Sequence, residues 1–568
     1  MVYGKAIQKL KVRIDYPGLK LLGVNPVENP NYLFLDLDIG PNAQAGKVPI
    51  QFYNGQSLES TFIFTLNKKE NPDRIHGVGP QDLIYLLMPD RFSNGDTAND
   101  SRPGMLETGV NRKKMYSRHG GDLQGIIDHL EYLKDLGVTA IWLTPAIENN
   151  EPEASYHGYA VTDHYTIDSR FGSNALYKEL VQKSHALGIK VIMDLVHNHA
   201  GTEGYTIRDR PMKDWVHEWP EYTQTNYQDQ TLMDPYASER DRKKMLNGWF
   251  DKRMADLNEE NPYVQKFLIQ NHIWWVEYAG VDGFRLDTYP YNNLHFMSNW
   301  ASEVRKEYPR LSIFGETNAS SINNAFYGEG NILHQGLDTH LPGVTDVSLE
   351  WAIYDALLNK NQGVNGIYNT MAKDFMFKDP SQNVVFLDNH DQSRFFSMVG
   401  EDFQKYKAGL TLLLTLNRIP QIYYGDEILM KNFSNPDGLV RMDFPGGWKG
   451  DSLNKFQSTG RNARENESFE FLKTLANYRK NTPSLYSGKM MQFIPENGIY
   501  VFFRYDAKKT LMVIFNGQAK EMSLSTPRFI ERTKGFIHAQ NILSGDTLNF
   551  GESLNIPAMT CWVLELKP

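Results

Sequence analysis

The sequence predicts an α/β protein: a (β/α)8 TIM barrel with an inserted subdomain after its third strand, flanked by N-terminal and C-terminal β-sandwich domains. Three observations support this prediction. Short apolar runs alternate with helical patterns from Ile84 to Glu427, a long connection follows the third run, and both ends of the chain show alternating strand patterns. Runs that are apolar on both faces are typical of parallel strands covered by helices. Roughly eight such repeats favour a closed barrel over an open sheet.

The N-terminal part, residues 1–78, is predicted to be a small all-β module. Its alternating segments lie at Lys11–Asp15, Tyr32–Leu37 and Thr61–Leu66, and clusters rich in Pro, Gly and Asn separate them. Alternation returns after Pro483 in the segments GIYVFFRY, TLMVIFNG and MTCWVLEL. We therefore expect a second β-sandwich over residues 483–568.

The barrel is assigned to residues 79–482. The runs IYLLMP, VTAIWLTP, IKVIMDLV, VDGFRLD, LSIFGE, NVVFLDNHD and RIPQIYYGDE are its predicted strands, and helices are predicted near 124–136, 174–187 and 262–279. The connection over about 197–261 is long enough to form a subdomain. One barrel strand has no clear pattern and is expected near Asp338–Leu349.

Composition excludes several classes of protein. The chain has 568 residues, a net charge of −9 and 12% aromatic residues. An acidic surface argues against nucleic-acid binding, which needs a basic face. No stretch approaches the roughly 20 apolar residues of a membrane span. The single cysteine, Cys561, excludes an internal disulfide and a cysteine-based zinc site.

Carboxylates lie in four of the apolar runs, at Asp194, Asp287, Glu316 and Asp391. Any one of them is more often part of a structural ion pair, but the active site of such a barrel lies at the carboxyl ends of its strands. Arg285 shares a strand face with Asp287 and is expected to keep it ionised. Several carboxylates without a metal cage suit glycoside hydrolysis, in which one attacks, one protonates and a third stabilises positive charge.

The motifs DLVHNH, GFRLD, FGE and FLDNHD resemble, in order and spacing, the four signature regions of the α-amylase family of retaining glycoside hydrolases. VTAIWLTP and IPQIYYGDE are similar to its second and eighth strands, and Ser155–Ser173 is similar to its substrate-contacting loop. The β modules suggest the subgroup of cyclomaltodextrinases, neopullulanases and maltogenic amylases. The resemblance implies cleavage of α-1,4-glucosidic bonds in maltooligosaccharides, cyclodextrins, pullulan or starch fragments through a covalent glycosyl-enzyme.

The resemblance also implies a role for each site residue. Asp287 corresponds to the nucleophile, Glu316 to the general acid/base and Asp391 to the carboxylate that stabilises the transition state. Asp194 corresponds to a supporting residue. The residues that match sugar contacts are His157, Tyr159, His199, Arg285 and His390.

The chain departs from the family pattern on the aglycone side. Thr288-Tyr289-Pro290-Tyr291 follows the nucleophile where a Lys-His pair or a glutamate is common, and Thr317 follows the acid/base. Ala255 replaces a proline in Met254–Asn258, a motif between the α-1,4 and α-1,6 versions. An α-1,6-acting oligoglucosidase is therefore the alternative enzyme. A non-catalytic carbohydrate-binding protein on an amylase barrel is the alternative of another class, but such relatives are expected to lose carboxylates that persist here.

A second site is predicted in the loop Arg91–Asp100. It concentrates Asn94, Asp96, Asn99 and Asp100, oxygen ligands that suit Ca²⁺, although an ion-free Asn/Asp/Gly turn is the simpler alternative. It is not an EF-hand, since Met105 occupies the twelfth loop position. The subgroup joins this loop to a later Gly-x-Asp, which Gly120 and Asp122 supply. The resemblance thus implies a structural calcium ion with no catalytic role.

The resemblance implies α-glucan oligosaccharides as binding partners and a possible homodimer. The first residues, from Met1 to Gly18, alternate as a strand does and show no apolar signal-peptide core. From the habits of the family we expect a periplasmic location, with a precursor segment removed, and a cytoplasmic location is the alternative.

Overall fold

The computed structural model describes residues 1–318, 321–330, 333 and 336–568. At its centre eight parallel strands form one sheet, in the spatial order sixth, fifth, fourth, third, second, first, eighth, seventh. A parallel bridge between Thr345 and Val384 links the two ends, which confirms the predicted barrel. The strands are Ile84–Leu87, Ala140–Leu143, Lys190–Leu195, Gly283–Leu286, Ser312–Gly315, Gly343–Val344, Val384–Val385 and Ile419–Tyr423. The sixth strand, Gly343–Val344, lies within the window where no strand pattern was visible.

The barrel strands are apolar on both faces because both faces are buried. Every residue of the first, second and fourth strands is buried, with one face towards the barrel interior and the other against the helices. The larger helices around the barrel are Leu123–Asp128, Leu130–Leu136, Asn174–Ala186, Pro262–Ala279, Leu294–Glu307, Val347–Leu358, Val364–Met371, Phe403–Thr415 and Ala463–Lys480.

Side chains at the helix starts fix several of these helices. Ser173, Asn261, Asn293 and Asp402 each accept a hydrogen bond from a backbone N–H of the first turn. The helix predicted over 124–136 is two helices that meet at His129, whose Nδ1 hydrogen-bonds the carbonyl oxygen of Gly125 at 2.7 Å. Among the described residues, no helix is both long and apolar enough to cross a membrane.

Antiparallel modules flank the barrel on both sides. The N-terminal module has two three-stranded sheets around a small core of Ile7, Leu33, Ile50 and Phe52. Its strands are Val2–Tyr3, Lys11–Ile14, Leu19–Pro26, Tyr32–Ile39, Gly46–Asn54 and Ser57–Leu66. The C-terminal module has a six-stranded and a two-stranded sheet. Its strands are Lys489–Glu496, Ile499–Tyr505, Thr510–Asn516, Met522–Ser525, His538–Asn541, Thr547–Asn549, Ser553–Ile556 and Thr560–Lys567.

The inserted segment follows the third strand and ends at the helix Pro262–Ala279. A pair of short antiparallel strands forms its base, in which His199–Gly201 pairs with Met254–Asp256. We call this strand pair the hairpin, although a long stretch of chain connects its two strands. Along the chain, the helices Tyr205–Arg208 and Glu239–Asn247 come between these two strands. This hairpin begins close to the carboxyl end of the third strand, so the inserted segment forms a wall beside the mouth of the barrel.

Candidate active site

One arginine connects carboxylates from three neighbouring strands. Arg285 lies in the fourth strand opposite Asp194 of the third and Phe314 of the fifth, and only 1% of its surface is exposed. Its Nη1 donates to Asp194 at 2.9 Å and to Asp287 at 2.6 Å, and its Nη2 contacts Glu316 at 2.7 Å. The parallel register therefore brings the predicted nucleophile, acid/base and supporting carboxylate together around one guanidinium group.

Thr288, a departure from the family pattern, holds the other oxygens of the two predicted catalytic carboxyls. Its backbone N–H donates to Glu316 Oε2 at 3.0 Å and its hydroxyl donates to Asp287 Oδ2 at 3.2 Å. Thr288 has a left-handed φ of 43°, which a β-branched residue rarely adopts.

The pKa values of Glu316 and Asp287 are both raised. Burial raises the pKa of Glu316 to about 7 against the charge of Arg285, and the negative charges of Asp287 and Asp391 add to the rise. Burial also raises the pKa of Asp287, more than Arg285 lowers it. The arginine thus favours ionised Asp287 as expected, but it is not the larger effect. Since 27% of the Glu316 side chain is exposed, its carboxyl group remains accessible to a substrate.

Asp391, which follows the seventh strand, has the opposite electrostatic environment. Burial opposes its ionisation, but the positive charges of His390, when protonated, and of Arg441 and Arg285 outweigh burial and lower its pKa. Its oxygens lie 3.3 Å from His390 Nε2 and 2.7 Å from Arg441 Nη2. This carboxylate is therefore kept ionised next to two carboxyls that hold protons more readily.

Tyr159 and two histidines form a stack beside these carboxyls. The Tyr159 hydroxyl donates to Asp194 at 3.0 Å and lies 2.8 Å from His390 Nε2, so His390 must donate from Nε2. The rings of Tyr159 and His390 are nearly parallel, with centroids 5.4 Å apart. The His157 ring also stacks with Tyr159, with centroids 5.8 Å apart, and its Nδ1 accepts from the Tyr159 N–H at 2.9 Å. Burial lowers the pKa of His390 to about 4 and that of His157 to about 3, which keeps both rings neutral.

His199 reaches the site from the base of the inserted segment. Its ring stacks on Phe250 with centroids 5.1 Å apart, and its Nδ1 lies 3.2 Å from Asn198 Nδ2. Its buried Nε2 has no hydrogen-bond partner among the residues that the structure describes. His199 is also close enough to His157 to affect the pKa of that ring. An unpaired buried nitrogen costs free energy unless a ligand occupies it, so His199 can bind a sugar hydroxyl.

Two residues that sequence reasoning missed complete the site. Arg441 follows the eighth strand, and it donates from Nε to the carbonyl oxygen of His390 at 2.8 Å and from Nη2 to Asp391 at 2.7 Å. Trp142 is the residue before the last of the second strand and donates from Nε1 to Asp194 at 3.0 Å. Trp142 could have been found as an aromatic residue with a polar tip at a strand end. No local signal points to Arg441.

The residues predicted to bind calcium also lie together. Asp122 accepts from the N–H groups of Gly95 at 3.1 Å and Asp96 at 2.8 Å, and from Asn99 Nδ2 at 3.1 Å. Asn94 Nδ2 donates to Asp100 at 2.8 Å. The Oδ1 atoms of Asn94 and Asn99 are buried and have no partner in the described part of the chain. Gly120, with a φ of +91°, packs so closely that a Cβ would lie 2.6 Å from Asp100 Oδ1. Two unpaired carbonyl oxygens among carboxylates fit a hard cation.

This parallel barrel has a buried arginine between paired carboxyls at the ends of its strands. Paired carboxyls at that end of a barrel are typical of glycoside hydrolases. Residues 86–483 match the model of the α-amylase catalytic domain. Residues 1–70 and 490–565 match those of the cyclomaltodextrinase N-terminal and C-terminal domains. The chain therefore belongs to the α-amylase family and is a glycoside hydrolase, which confirms the resemblance seen in the motifs.

Individual relatives agree with this assignment. A cyclomaltodextrinase of Thermoanaerobacter pseudethanolicus is 30% identical over 452 residues, which are 77% of this chain and 70% of that protein. Neopullulanase 2 of Thermoactinomyces vulgaris is 28% identical over 466 residues, which are 78% and 70% of the two chains. Among solved structures, an Anoxybacillus α-amylase is similar with a TM-score of 0.71 and 28% identity, covering 86% of this chain and 98% of that chain.

Proposed function

We propose that this enzyme cleaves α-1,4-glucosidic bonds in maltooligosaccharides, cyclodextrins, pullulan or starch fragments, with retention of configuration. The observation that carries the proposal is the contact of one guanidinium group, that of Arg285, with both Asp287 at 2.6 Å and Glu316 at 2.7 Å. Such a bridge favours the short carboxyl separation of retaining enzymes, about 5–5.5 Å. The names of the relatives, cyclomaltodextrinase and neopullulanase, support this substrate class.

In the proposed first step, Asp287 attacks the anomeric carbon while Glu316 gives its proton to the glycosidic oxygen. The bond from the anomeric carbon to that oxygen breaks, and a glycosyl ester forms on Asp287. Because its pKa is raised, Glu316 still carries the proton that it donates near neutral pH. Ionised Asp391 stabilises the positive charge that develops on the sugar ring.

In the proposed second step, Glu316 acts as a base. Its carboxylate takes a proton from water, the water oxygen bonds to the anomeric carbon, and Asp287 leaves as the free carboxylate. Two displacements at one carbon restore the original configuration. We assign the sugar contacts in both steps to His390, which lies next to Asp391, to Tyr159 and His157, which stack beside it, and to His199, which lies near His157.

The test is product analysis after incubation with pullulan, γ-cyclodextrin and isomaltose. Panose from pullulan and linear products from γ-cyclodextrin, with anomeric retention by NMR, are expected. A Glu316→Gln variant should release neither. Glucose from isomaltose with pullulan intact would instead support the α-1,6-acting oligoglucosidase, which the variant Asp256-Leu257-Asn258 favours. No product from any substrate would favour the non-catalytic binding protein.

We also propose that the loop Asn94–Asp100 with Gly120 and Asp122 binds a structural calcium ion. The unpaired Oδ1 atoms of Asn94 and Asn99 support this. Addition of EGTA should lower the melting temperature of the wild type, and Ca²⁺ should restore it. Asn99→Ala should lose this dependence, whereas Asn150→Ala, at a nearby loop outside the predicted ligand set, should keep it. Equal melting temperatures of the wild type with EGTA and with Ca²⁺ would contradict the proposal.

We propose a homodimer in which the strand Ser57–Leu66 takes part. This edge strand is exposed along nearly its whole length, and Phe62 and Phe64 are 57% and 41% exposed. Long apolar edge strands are prone to pair with another chain. Light scattering after size exclusion should give twice the chain mass for the wild type and the single mass for Phe62→Lys. A monomeric wild type at micromolar concentration would contradict the proposal.

A further inference from the structure

Asp209, in the inserted segment, connects the N-terminal module to the wall of the active site. We propose that Asp209 is a positioning residue through which this module holds, within the same chain, the hairpin that carries His199. The inference rests on the proposed sugar contact of His199. It assigns a role in substrate binding to a module that contributes no side chain to the site described above.

The first step of the argument is the environment of the Asp209 carboxylate. It accepts from Asn29 Nδ2 at 2.6 Å, from Asn31 Nδ2 at 2.8 Å and from the Tyr3 hydroxyl at 2.9 Å. All three donors belong to the N-terminal module and none is charged. The amide of Asn31 is the largest cause that lowers the pKa of Asp209, followed by Asn29 and Tyr3 among the favourable contacts, while burial opposes them. Hydrogen bonds to an ionised acceptor are stronger than neutral ones.

Further hydrogen bonds join the N-terminal module to the inserted segment on either side of Asp209. The N–H of Asn29 donates to the carbonyl oxygen of Pro211 at 2.9 Å, and the hydroxyl of Tyr32 donates to that of Tyr205 at 3.1 Å. The N–H of Lys213 donates to Glu28 at 2.9 Å. The module therefore holds the inserted segment at several points from 205 to 213, and its position sets the position of that segment.

The segment held by the module, residues 205–213, leads into residues 215–217, which run beside the hairpin. The N–H of Asn258 donates to the carbonyl oxygen of Trp215 at 3.0 Å, and the N–H of His217 donates to that of Asp256 at 2.9 Å. The side chains of His217 and Asp256 meet at 2.6 Å. Residues 215–217 thus pair in antiparallel fashion with residues 256–258, at the end of the strand Met254–Asp256.

The last step connects the hairpin to the site. His199 lies opposite Asp256 in the antiparallel pairing, and the N–H of Leu257 donates to the carbonyl oxygen of Asn198 at 2.9 Å. Three backbone segments therefore lie side by side, the outer one held by the module and the inner one bearing His199. Small displacements of such supports weaken substrate binding because substrate groups must be met at fixed distances.

The test compares Asp209→Ala with Ile50→Val, which weakens the core of the N-terminal module and leaves its contacts with Asp209 in place. Both variants should melt below the wild type. Only Asp209→Ala should raise KM for γ-cyclodextrin, by about three- to tenfold, with kcat changed less than about twofold, because the lost interaction is with bound substrate. Asp209→Asn, which keeps one carbonyl oxygen acceptor, should give an intermediate KM.

His199→Ala separates the inference from the proposal beneath it. If His199→Ala raises KM and Asp209→Ala adds nothing to it in the double variant, Asp209 acts through His199. If His199→Ala raises KM but Asp209→Ala and Ile50→Val leave it equal to the wild type, or raise it equally, the positioning role is wrong. If His199→Ala leaves KM unchanged, the proposed sugar contact itself has failed.

Discussion

At the residue scale, Arg285 lies between Asp194, Asp287 and Glu316 and cannot neutralise all three. Its charge lowers each pKa, yet burial prevails at Glu316 and Asp287. Asp391 has Arg441 and His390 as additional neighbours, and its pKa is lowered instead. Neighbouring carboxyls with divided pKa values are the arrangement that acid/base chemistry at neutral pH requires.

The raised pKa of Glu316 predicts the alkaline limb of the activity profile. Because the pKa lies at about 7, Glu316 keeps its proton below that pH and loses it above, so kcat/KM for maltotriose should fall as pH rises through about 7. For α-glucosyl fluoride, whose leaving group needs no proton, kcat/KM should not fall over this pH range. An identical limb for both substrates would assign the titration to another group.

Sequence reasoning reached the carboxyls and missed Arg441 for a physical reason. Asp287, Glu316 and Asp391 each follow an apolar run, and the run gives their place in a parallel barrel. Arg441 lies in an irregular segment, and its contact with Asp391 joins residues 50 positions apart. Local periodicity carries no information about such contacts.

At the scale of elements, the turn after the fourth strand holds one residue in a strained backbone conformation. Thr288 has a φ of 43°, a left-handed conformation that costs a residue with a Cβ about 1–2 kcal/mol. The N–H of the same residue donates a hydrogen bond to Glu316 Oε2 at 3.0 Å. Strain at an active site persists where the surrounding structure holds it.

A pair of variants isolates this strain. Thr288→Gly and Thr288→Ala both lose the hydroxyl that contacts Asp287, but only glycine relieves the backbone. We expect Thr288→Gly to be more stable than Thr288→Ala by about 1 kcal/mol, measured as the order of their melting temperatures. An alanine variant as stable as the glycine variant would show that the turn is not strained.

At the scale of the whole molecule, the C-terminal module shares its core with the barrel. In the strand Ile499–Tyr505, Tyr500 and Phe502 pack into the barrel core, whereas Val501 and Phe503 pack into the core of the module. This explains why the segment GIYVFFRY is apolar on both faces although its sheet is antiparallel. We therefore expect the barrel and the C-terminal module to unfold as one cooperative unit.

This shared core predicts joint unfolding. Phe502→Ala, which removes a ring from the barrel side, should lower stability by about 3–5 kcal/mol and shift the calorimetric transitions of the barrel and the C-terminal module together. Leu22→Ala, at an exposed position of the N-terminal module outside the proposed dimer strand, should leave that transition in place. Separate transitions for the barrel and the C-terminal module in the wild type would contradict the shared core.

The sequence by itself determined the barrel, the flanking β modules and the order of the site motifs, because these depend on local alternation of apolar residues and on the ends of strands. Only the tertiary structure decided how the carboxyls divide their pKa values, how Thr288 turns its N–H to Glu316, and how Asp209 joins the N-terminal module to the inserted segment. The contact of Asn29 with Asp209 spans 180 positions. Burial and contacts of that range arise from packing between elements, which no local pattern of residues encodes.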